Sequence, residues 1–404
     1  MPSVQADLDH AATTPPRPEV LEVLERWIGS GNASARHLPG QAARSAVERA
    51  REQAAATLGC SPHDVVFTSG GTEADNLVVK GAVWAARERP STAPAHVVTT
   101  AVEHAAVLEP ARWLAERGEV ELDVVAPMAD GRVAVEDVLA RVRDGSDGRD
   151  RTVLVSVMGA NNELGSINDV AALGAALREL GVPLHVDAVQ CVATLDVSLV
   201  RWSADALAVS AHKFGGPQGV GVAVVRRGLA LEATSHGGGQ DRGLRSGTFA
   251  VGLIAACGEA LERAAAERDV MRERLEGLSE RLAAGLAAIE GVRRSGPHAP
   301  EERLASHVHV MLDGVDAEAL AIGLDTAGVA ASGGSACSSG AASGSHVVDA
   351  CGLVGTPLRL SLGWTSTQAE VDHAVAVLGE LVPRLRDGGD AFGLGPIDRA
   401  EAGR

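Results

Sequence analysis

Apolar, β-branched runs alternate with helix-period segments through the first half of this chain, and that alternation leaves few architectures open. Strand patterns fall at residues 65–68, 96–100, 120–126, 152–158, 184–187, 204–209 and 220–226. Helical patterns fall at 18–30, 45–58, 72–87, 105–117, 135–142 and 169–180. Strands separated by helix-length crossovers predict an α/β sheet with covered faces. Near-continuous apolar runs such as 152–158 fit strands buried on both sides. Past Gly252 the pattern changes. A long Ala/Glu/Arg/Leu-rich helix over 254–289 leads to a turn near 295–300, an alternating strand at 306–312 and a helix at 317–327. A Gly/Ser-rich loop, a strand at 358–362 and a helix at 368–385 follow. The expected division is a large domain over 15–262 and a smaller α+β domain from 1–14 and 263–387. The smaller one carries the loop over about 331–346, and a Gly/Asp-rich tail over 388–404 is expected to be mobile.

Composition narrows the partners. The 404 residues, 46% hydrophobic and 22% charged, suit a globular protein of two domains. A net charge of −17 with no run of Lys and Arg disfavours nucleic acid and anionic membrane. No uncharged apolar stretch reaches the roughly 18 residues of a membrane span, and the N-terminus lacks a secretory pattern, so the cytoplasm is expected. The five cysteines form no CxxC pair, so neither a disulfide framework nor a metal site is expected. Four sit among apolar or helix-like neighbours and read as buried thiols; Cys337 does not. Lysine occurs only at Lys80 and Lys213, so any chemistry needing a lysine amine has two candidates.

Several strand ends carry chemically capable residues. Thr68-Ser69-Gly70-Gly71-Thr72 follows a strand and opens a helix, a place where a ligand anion meets unpaired N–H groups, although such a turn can also be only a turn. Lys213, in Ser210-Ala211-His212-Lys213-Phe214-Gly215-Gly216-Pro217, stands where α/β sheets bind ligands and could form a Schiff base; a solvated loop lysine is the alternative. Lys80 sits late in an amphipathic helix and reads as solvated. Asp187 ends another apolar strand, where an acid needs a partner such as a protonated ring nitrogen, or else caps the next helix. His104 also follows a strand and could stack on a ring or move protons. Cys337 lies on a loop nearly free of large side chains, either a linker or a swinging nucleophile. Arg359, on a buried strand, requires a carboxylate or phosphate. His307 and His309 share one strand face without a third ligand nearby and read as structural.

Together these residues resemble the NifS/IscS-like cysteine desulfurases of the class V aminotransferase family. The resemblance covers nearly the whole chain. It includes Leu8-Asp9-His10-Ala11-Ala12-Thr13-Thr14-Pro15, Gly31-Asn32-Ala33-Ser34, the Phe67-Thr68-Ser69-Gly70-Gly71-Thr72 turn, Glu103-His104 and Asn161-Asn162-Glu163-Leu164-Gly165. It continues through His185-Val186-Asp187-Ala188-Val189-Gln190, the Lys213 segment, Gly237-Gly238-Gly239-Gln240-Asp241-Arg242 with Ser246-Gly247-Thr248, Gly334-Ser335-Ala336-Cys337 and Arg359-Leu360-Ser361-Leu362-Gly363. Two positions depart from the family pattern: His10 stands where Tyr is frequent, and Gly159 where His is frequent.

The resemblance implies a pyridoxal 5'-phosphate transferase of fold type I with a mostly parallel seven-stranded sheet. It implies that Lys213 binds the cofactor covalently, Asp187 pairs with the pyridine nitrogen, Gln190 contacts the ring hydroxyl and His104 stacks on the ring. Gly71, Thr72, Ser210 and His212 would hold the phosphate, and Thr248 would reach the phosphate of a neighbouring subunit in a homodimer. Asn162 and Arg359 would hold the carboxylate of L-cysteine. Cys337 would take the sulfur, leaving alanine, and pass it to an acceptor or scaffold protein. Iron–sulfur assembly, tRNA thiolation, DNA sulfur modification and thio-cofactor or natural-product synthesis all fit as destinations. Two other readings stand beside this one: an aminotransferase or selenocysteine-lyase-like enzyme that does not need Cys337, and a non-catalytic sulfur-relay scaffold on the same fold.

Overall fold

In the computed structural model, residues 5–87, 94–143, 152–333 and 344–388 are described. The strands in chain order are β1 (Ala6–Asp7), β2 (Val65–Thr68), β3 (Ala95–Thr100), β4 (Val120–Val125), β5 (Thr152–Ser156), β6 (Leu184–Asp187), β7 (Ala206–Ser210), β8 (Gly221–Val225), β9 (Val292–Ser295), β10 (His307–Leu312), β11 (Val329–Ala330) and β12 (Thr356–Ser361). The helices are α1 (Pro18–Trp27), α2 (Leu38–Leu58), α3 (Gly71–Ala86), α4 (Ala105–Glu116), α5 (Val135–Leu139), α6 (Val170–Leu180), α7 (Val251–Ala287), α8 (Ala317–Thr326), α9 (His346–Ala350) and α10 (Gln368–Arg386).

Strands β5 to β8 bury every residue, which requires helices on both faces. The seven-stranded sheet has the order β2-β8-β7-β6-β5-β3-β4. Only β8 runs against its neighbours β2 and β7; the other pairs are parallel. The carboxyl ends of β2, β3, β5, β6 and β7 therefore share one edge, where open α/β sheets bind ligands.

A second, three-stranded sheet has the order β12-β10-β9 and is antiparallel. Its core gathers Leu8, Leu275, Leu282, Val310, Leu360, Val371 and Leu378, separate from the core around the larger sheet. Helix α7, 37 residues and so about 55 Å long, joins the two. Ile254 and Leu261 pack in the first core, and Leu282 and Leu286 in the second. The chain start also lies with the second sheet, because β1 pairs with β11 and Leu8 accepts from the Ser361 amide.

Strands β1 and β11 and helix α9 were not expected from the sequence, and two further elements differ from the sequence reading for plain local reasons. Helix α2 starts at Leu38 rather than 45, with His37 capping the Gly40 amide and Pro39 in the first turn, where a missing N–H costs nothing. Strand β9 stands just before the expected turn. Its Val-Arg-Arg-Ser sequence carries no apolar alternation, because it is an edge strand with partly exposed arginines.

His307 and His309 lie on one face of β10, as expected, and bond Ser306 and Ser295 through Nδ1. Burial, then the Arg359 charge, pushes His309 down to about 3 from its ordinary 6.5. A folded-state value below the unfolded one means that unfolding takes up a proton between those pH values. The stability due to neutral His309 is complete above about pH 6.5 and is lost as pH falls towards 3. His309→Gln should therefore gain on the wild type by about 1.4 kcal/mol per pH unit as pH drops from 6.5 to 4.5. Urea titrations of both proteins across that range check this; parallel curves would contradict it.

Candidate active site

The edge formed by the five strand ends encloses a cavity of about 1040 Å³. Each wall follows from a local turn. After β2 the chain passes through Gly70, at φ 157° and ψ −175°, a conformation confined essentially to glycine. Gly71 then starts α3, and a Cβ there would stand 2.8 Å from Val189 Cγ2. The helix N-terminus thus reaches the cavity with no side chain in the way, beside Thr72, Ser210 and His212. This is an anion cradle.

His104, after β3, caps α4: its Nδ1 accepts from the Ala106 amide at 3.1 Å. A neutral ring then carries its proton on Nε2. Asp187, the last residue of β6, is 5% exposed, and its Oδ1 accepts from the Val189 amide at 2.9 Å. Burial pushes its carboxyl above the ordinary range, opposed first by His104, then by the Val189 amide and Lys213. An acid so placed is stabilised by a cationic partner in the cavity.

Lys213 follows β7. Its Nζ donates to the Ala11 carbonyl at 2.6 Å and the Ala12 carbonyl at 2.9 Å. Gln190 Nε2 donates to the same Ala11 carbonyl at 3.0 Å, and His212 Nδ1 lies 3.2 Å from Thr13 Oγ1. The segment that leaves β1 therefore closes one side of the cavity. Burial, then the neighbouring Lys213 charge, pushes His212 down to about 4.

Arg359 of β12 also lines the cavity, beside the segment that leaves β1. Its Nη2 donates to Asp9 at 2.7 Å and its Nη1 to the Asn162 carbonyl at 2.9 Å. Its buried Nε has no hydrogen-bond partner among the described residues. That leaves a donor for an incoming carboxylate.

Ten residues singled out in the sequence line this one cavity: Gly71, Thr72, His104, Asn162, Asp187, Gln190, Ser210, His212, Lys213 and Arg359. Thr248 does not; it is exposed, outside the cavity. Cys337 lies outside the described residues, but Ser332, Gly344, Ser345 and His346, which flank that segment, line the cavity. The tail after Gly388 is also outside them. Lys80 is on α3 with its Nζ 5.0 Å from the Trp113 ring centroid, away from the site. No group of three or more His, Cys, Asp or Glu among the described residues is placed to hold a metal ion.

The sequence reading assigned no role to four buried polar residues of the site. Glu103 and Glu163 are 0% and 4% exposed, and Asp75 and His185 are 1% and 0% exposed. Glu163 accepts from Ser345, and the Glu103 carbonyl meets His346 Nε2 at 2.9 Å, so both brace the rim. Asp75 lies in the floor, and His185 stands next to it outside the lining. The available signal was spacing: Asp75 is one helical turn past Gly71, and His185 is two residues before Asp187 on one strand face. The two departures from the family pattern also have local causes. His10 bonds Thr14 Oγ1 at 2.7 Å and meets Thr365 Oγ1 at 3.3 Å. At Gly159 a Cβ would stand 2.8 Å from Cys191 Sγ, so Cys191 occupies the space a side chain would need.

An anion cradle, a reachable amine, an acid awaiting a ring cation and a carboxylate donor fit pyridoxal 5'-phosphate and a small amino acid. Residues 7–374 match the family Aminotransferase class-V. An IscS-like cysteine desulfurase of Mycobacterium tuberculosis is 42% identical over 94% of this chain and 97% of its own length. A solved NifS-like protein superposes with a TM-score of 0.85 at 32% identity, covering 94% of this chain and 99% of that one. A structure described as SspA in complex with cysteine superposes with a TM-score of 0.76 at 29% identity, over 90% of this chain and all of that one.

Proposed function

This chain belongs to the class-V aminotransferase family and is a cysteine desulfurase, and from that premise we propose that it uses pyridoxal 5'-phosphate held by Lys213 to move sulfur from L-cysteine to Cys337. The observation that carries this reading is the convergence of Lys213, Asp187 and His104 with the α3 N-terminus on one cavity. When bound, the cofactor supplies an electron sink that loosens the Cα proton of an amino acid joined to it.

The chain's own residues do the rest. Gly71, Thr72, Ser210 and His212 hold the phosphate. Asp187 keeps a proton on the pyridine nitrogen, Gln190 meets the ring hydroxyl, and His104 covers the ring face. Asn162 and Arg359 orient the substrate carboxylate, and the Nε donor of Arg359 supports that role. Lys213 is the lysine that lines the cavity, and its amine would carry the Cα proton. The Cys337 thiolate attacks the substrate sulfur: an S–S bond forms and the C–S bond breaks. The released electron pair stays on carbon and takes up a proton, giving the methyl group of alanine. Cys337 then holds a persulfide for an acceptor or scaffold protein.

We further place the enzyme in the cytoplasm as a homodimer, Thr248 reaching the partner's phosphate. Its exposure outside its own cavity supports that placement. No helix among the described residues is long and apolar enough to cross a membrane. The large domain over 15–262 and the smaller one from 1–14 and 263–387 are part of this reading, which the two separate cores support.

The test is product analysis. The cofactor-loaded protein with L-cysteine and a thiol reductant should form alanine and sulfide in equal amounts. Pyruvate and ammonia, or keto acid only with an added amino acceptor, would contradict the reading.

A further inference from the structure

Beneath Asp187 lies a group of buried polar side chains, of which Asp75 borders the cavity. His185 and Asp187 alternate on β6 and so point to one face, the face α3 covers. Asp75 of α3 faces them, its Oδ1 3.4 Å from His185 Nε2. Neither atom has a hydrogen-bond partner among the described residues. On its far side His185 Nδ1 lies 2.9 Å from Ser156 Oγ. The other charged groups facing this floor are Glu103 and His104 after β3 and Lys213 after β7. Glu103 Oε1 accepts from Thr100 Oγ1 at 2.7 Å and from the Met158 amide at 2.9 Å.

We propose that Asp75 and His185 form a buried dyad behind Asp187, with Asp75 a positioning residue that keeps the proton on the cofactor's pyridine nitrogen. The inference rests on the cofactor-binding reading above. Its physical basis is charge in a dry site. Asp75, Asp187 and Glu103 are buried together, and they cannot all ionise without a cation nearby. Without a cofactor, burial, then Asp187 and Glu103, pushes Asp75 well above the ordinary carboxyl range, so it holds its proton. Glu103 is likewise pushed up to about 8 by burial, with Asp187 adding to it.

A protonated ring nitrogen against Asp187 brings the missing positive charge. Asp75, which lines the cavity, then gives up its proton to cavity water as the cofactor enters, and the neutral His185 tautomer that carries its proton on Nε2 donates to the new carboxylate. Burial pushes His185 down to about 3, so it serves as a neutral donor. The Ser156 hydroxyl can donate to or accept from Nδ1, which lets either tautomer of His185 be satisfied. The negative charge on Asp75 adds to that of Asp187 and holds the ring proton more firmly than one carboxylate could.

The test follows the ring nitrogen itself. Wild type and Asp75→Asn are loaded with ¹⁵N-labelled pyridoxal 5'-phosphate, and the ring-nitrogen resonance is followed against pH. Asn keeps the shape and removes the charge. The midpoint for losing the ring proton should fall by about one pH unit in Asp75→Asn. His185→Gln should move it the same way by less. Cofactor release, timed by loss of the visible band, should be several-fold faster in Asp75→Asn. A purely structural role would change release or thermal stability and leave the midpoint in place, and that outcome overturns the proposal. A wild-type protein that binds no cofactor would instead overturn the functional reading.

Discussion

Lys213→Ala is expected to yield a colourless protein that makes no measurable alanine from L-cysteine. The chain offers no substitute amine. Its only other lysine, Lys80, is on α3 over the Trp113 ring, outside the cavity. On the proposed mechanism the variant loses the covalent link to the cofactor and the base that moves the Cα proton. Loss of such a group costs about 10²–10⁴-fold in rate, and loss of the covalent link adds to it. The Ala11 carbonyl keeps its bond from Gln190 and the Ala12 carbonyl faces a cavity that admits water, so the fold should survive. Absorbance and alanine formation, with a melting curve as the control, check this. A yellow, active Lys213→Ala protein would contradict the account.

Cys337→Ser separates cofactor chemistry from sulfur transfer. Lys213, Asp187 and the phosphate cradle are untouched, so the variant should purify yellow and change colour with cysteine. Transfer of sulfur should drop by about 10²-fold or more, because a serine hydroxyl is not ionised and a thiolate is the nucleophile required. The remaining thiols cannot stand in. Burial pushes Cys60 and Cys257 up to about 12 and Cys351 up to about 11, and raises Cys191 further. None of these four thiols borders the cavity. Wild-type sulfide release by Cys337→Ser would remove Cys337 from the mechanism.

Much of this site could be read from local sequence because the end of a buried strand puts the next few residues at the sheet edge. The β2, β6 and β7 runs are buried at every position, and Gly71, Asp187 and Lys213 stand at or within a few residues of their ends. Their individual roles came from the family resemblance, since Lys213 alone reads equally well as a loop lysine. The parts that stayed hidden depend on contacts distant in sequence. The Ala11 and Ala12 carbonyls that meet Lys213 lie about 200 residues away and carry no side-chain signal. Asp75 is one acid on a helix with both buried and exposed faces; only the packing of α3 on β6 puts it against His185. Strand β9 escaped because an edge strand rich in arginine lacks the alternation that marks a half-buried one.

The most direct measurement is where the cofactor attaches. The yellow protein is reduced with borohydride, digested, and its pyridoxyl-bearing peptide identified by mass. With two lysines in the chain, the outcome is nearly binary. The account predicts the label on Lys213 in the peptide just past β7. A label on Lys80, or a reduced protein with no labelled peptide, would contradict it.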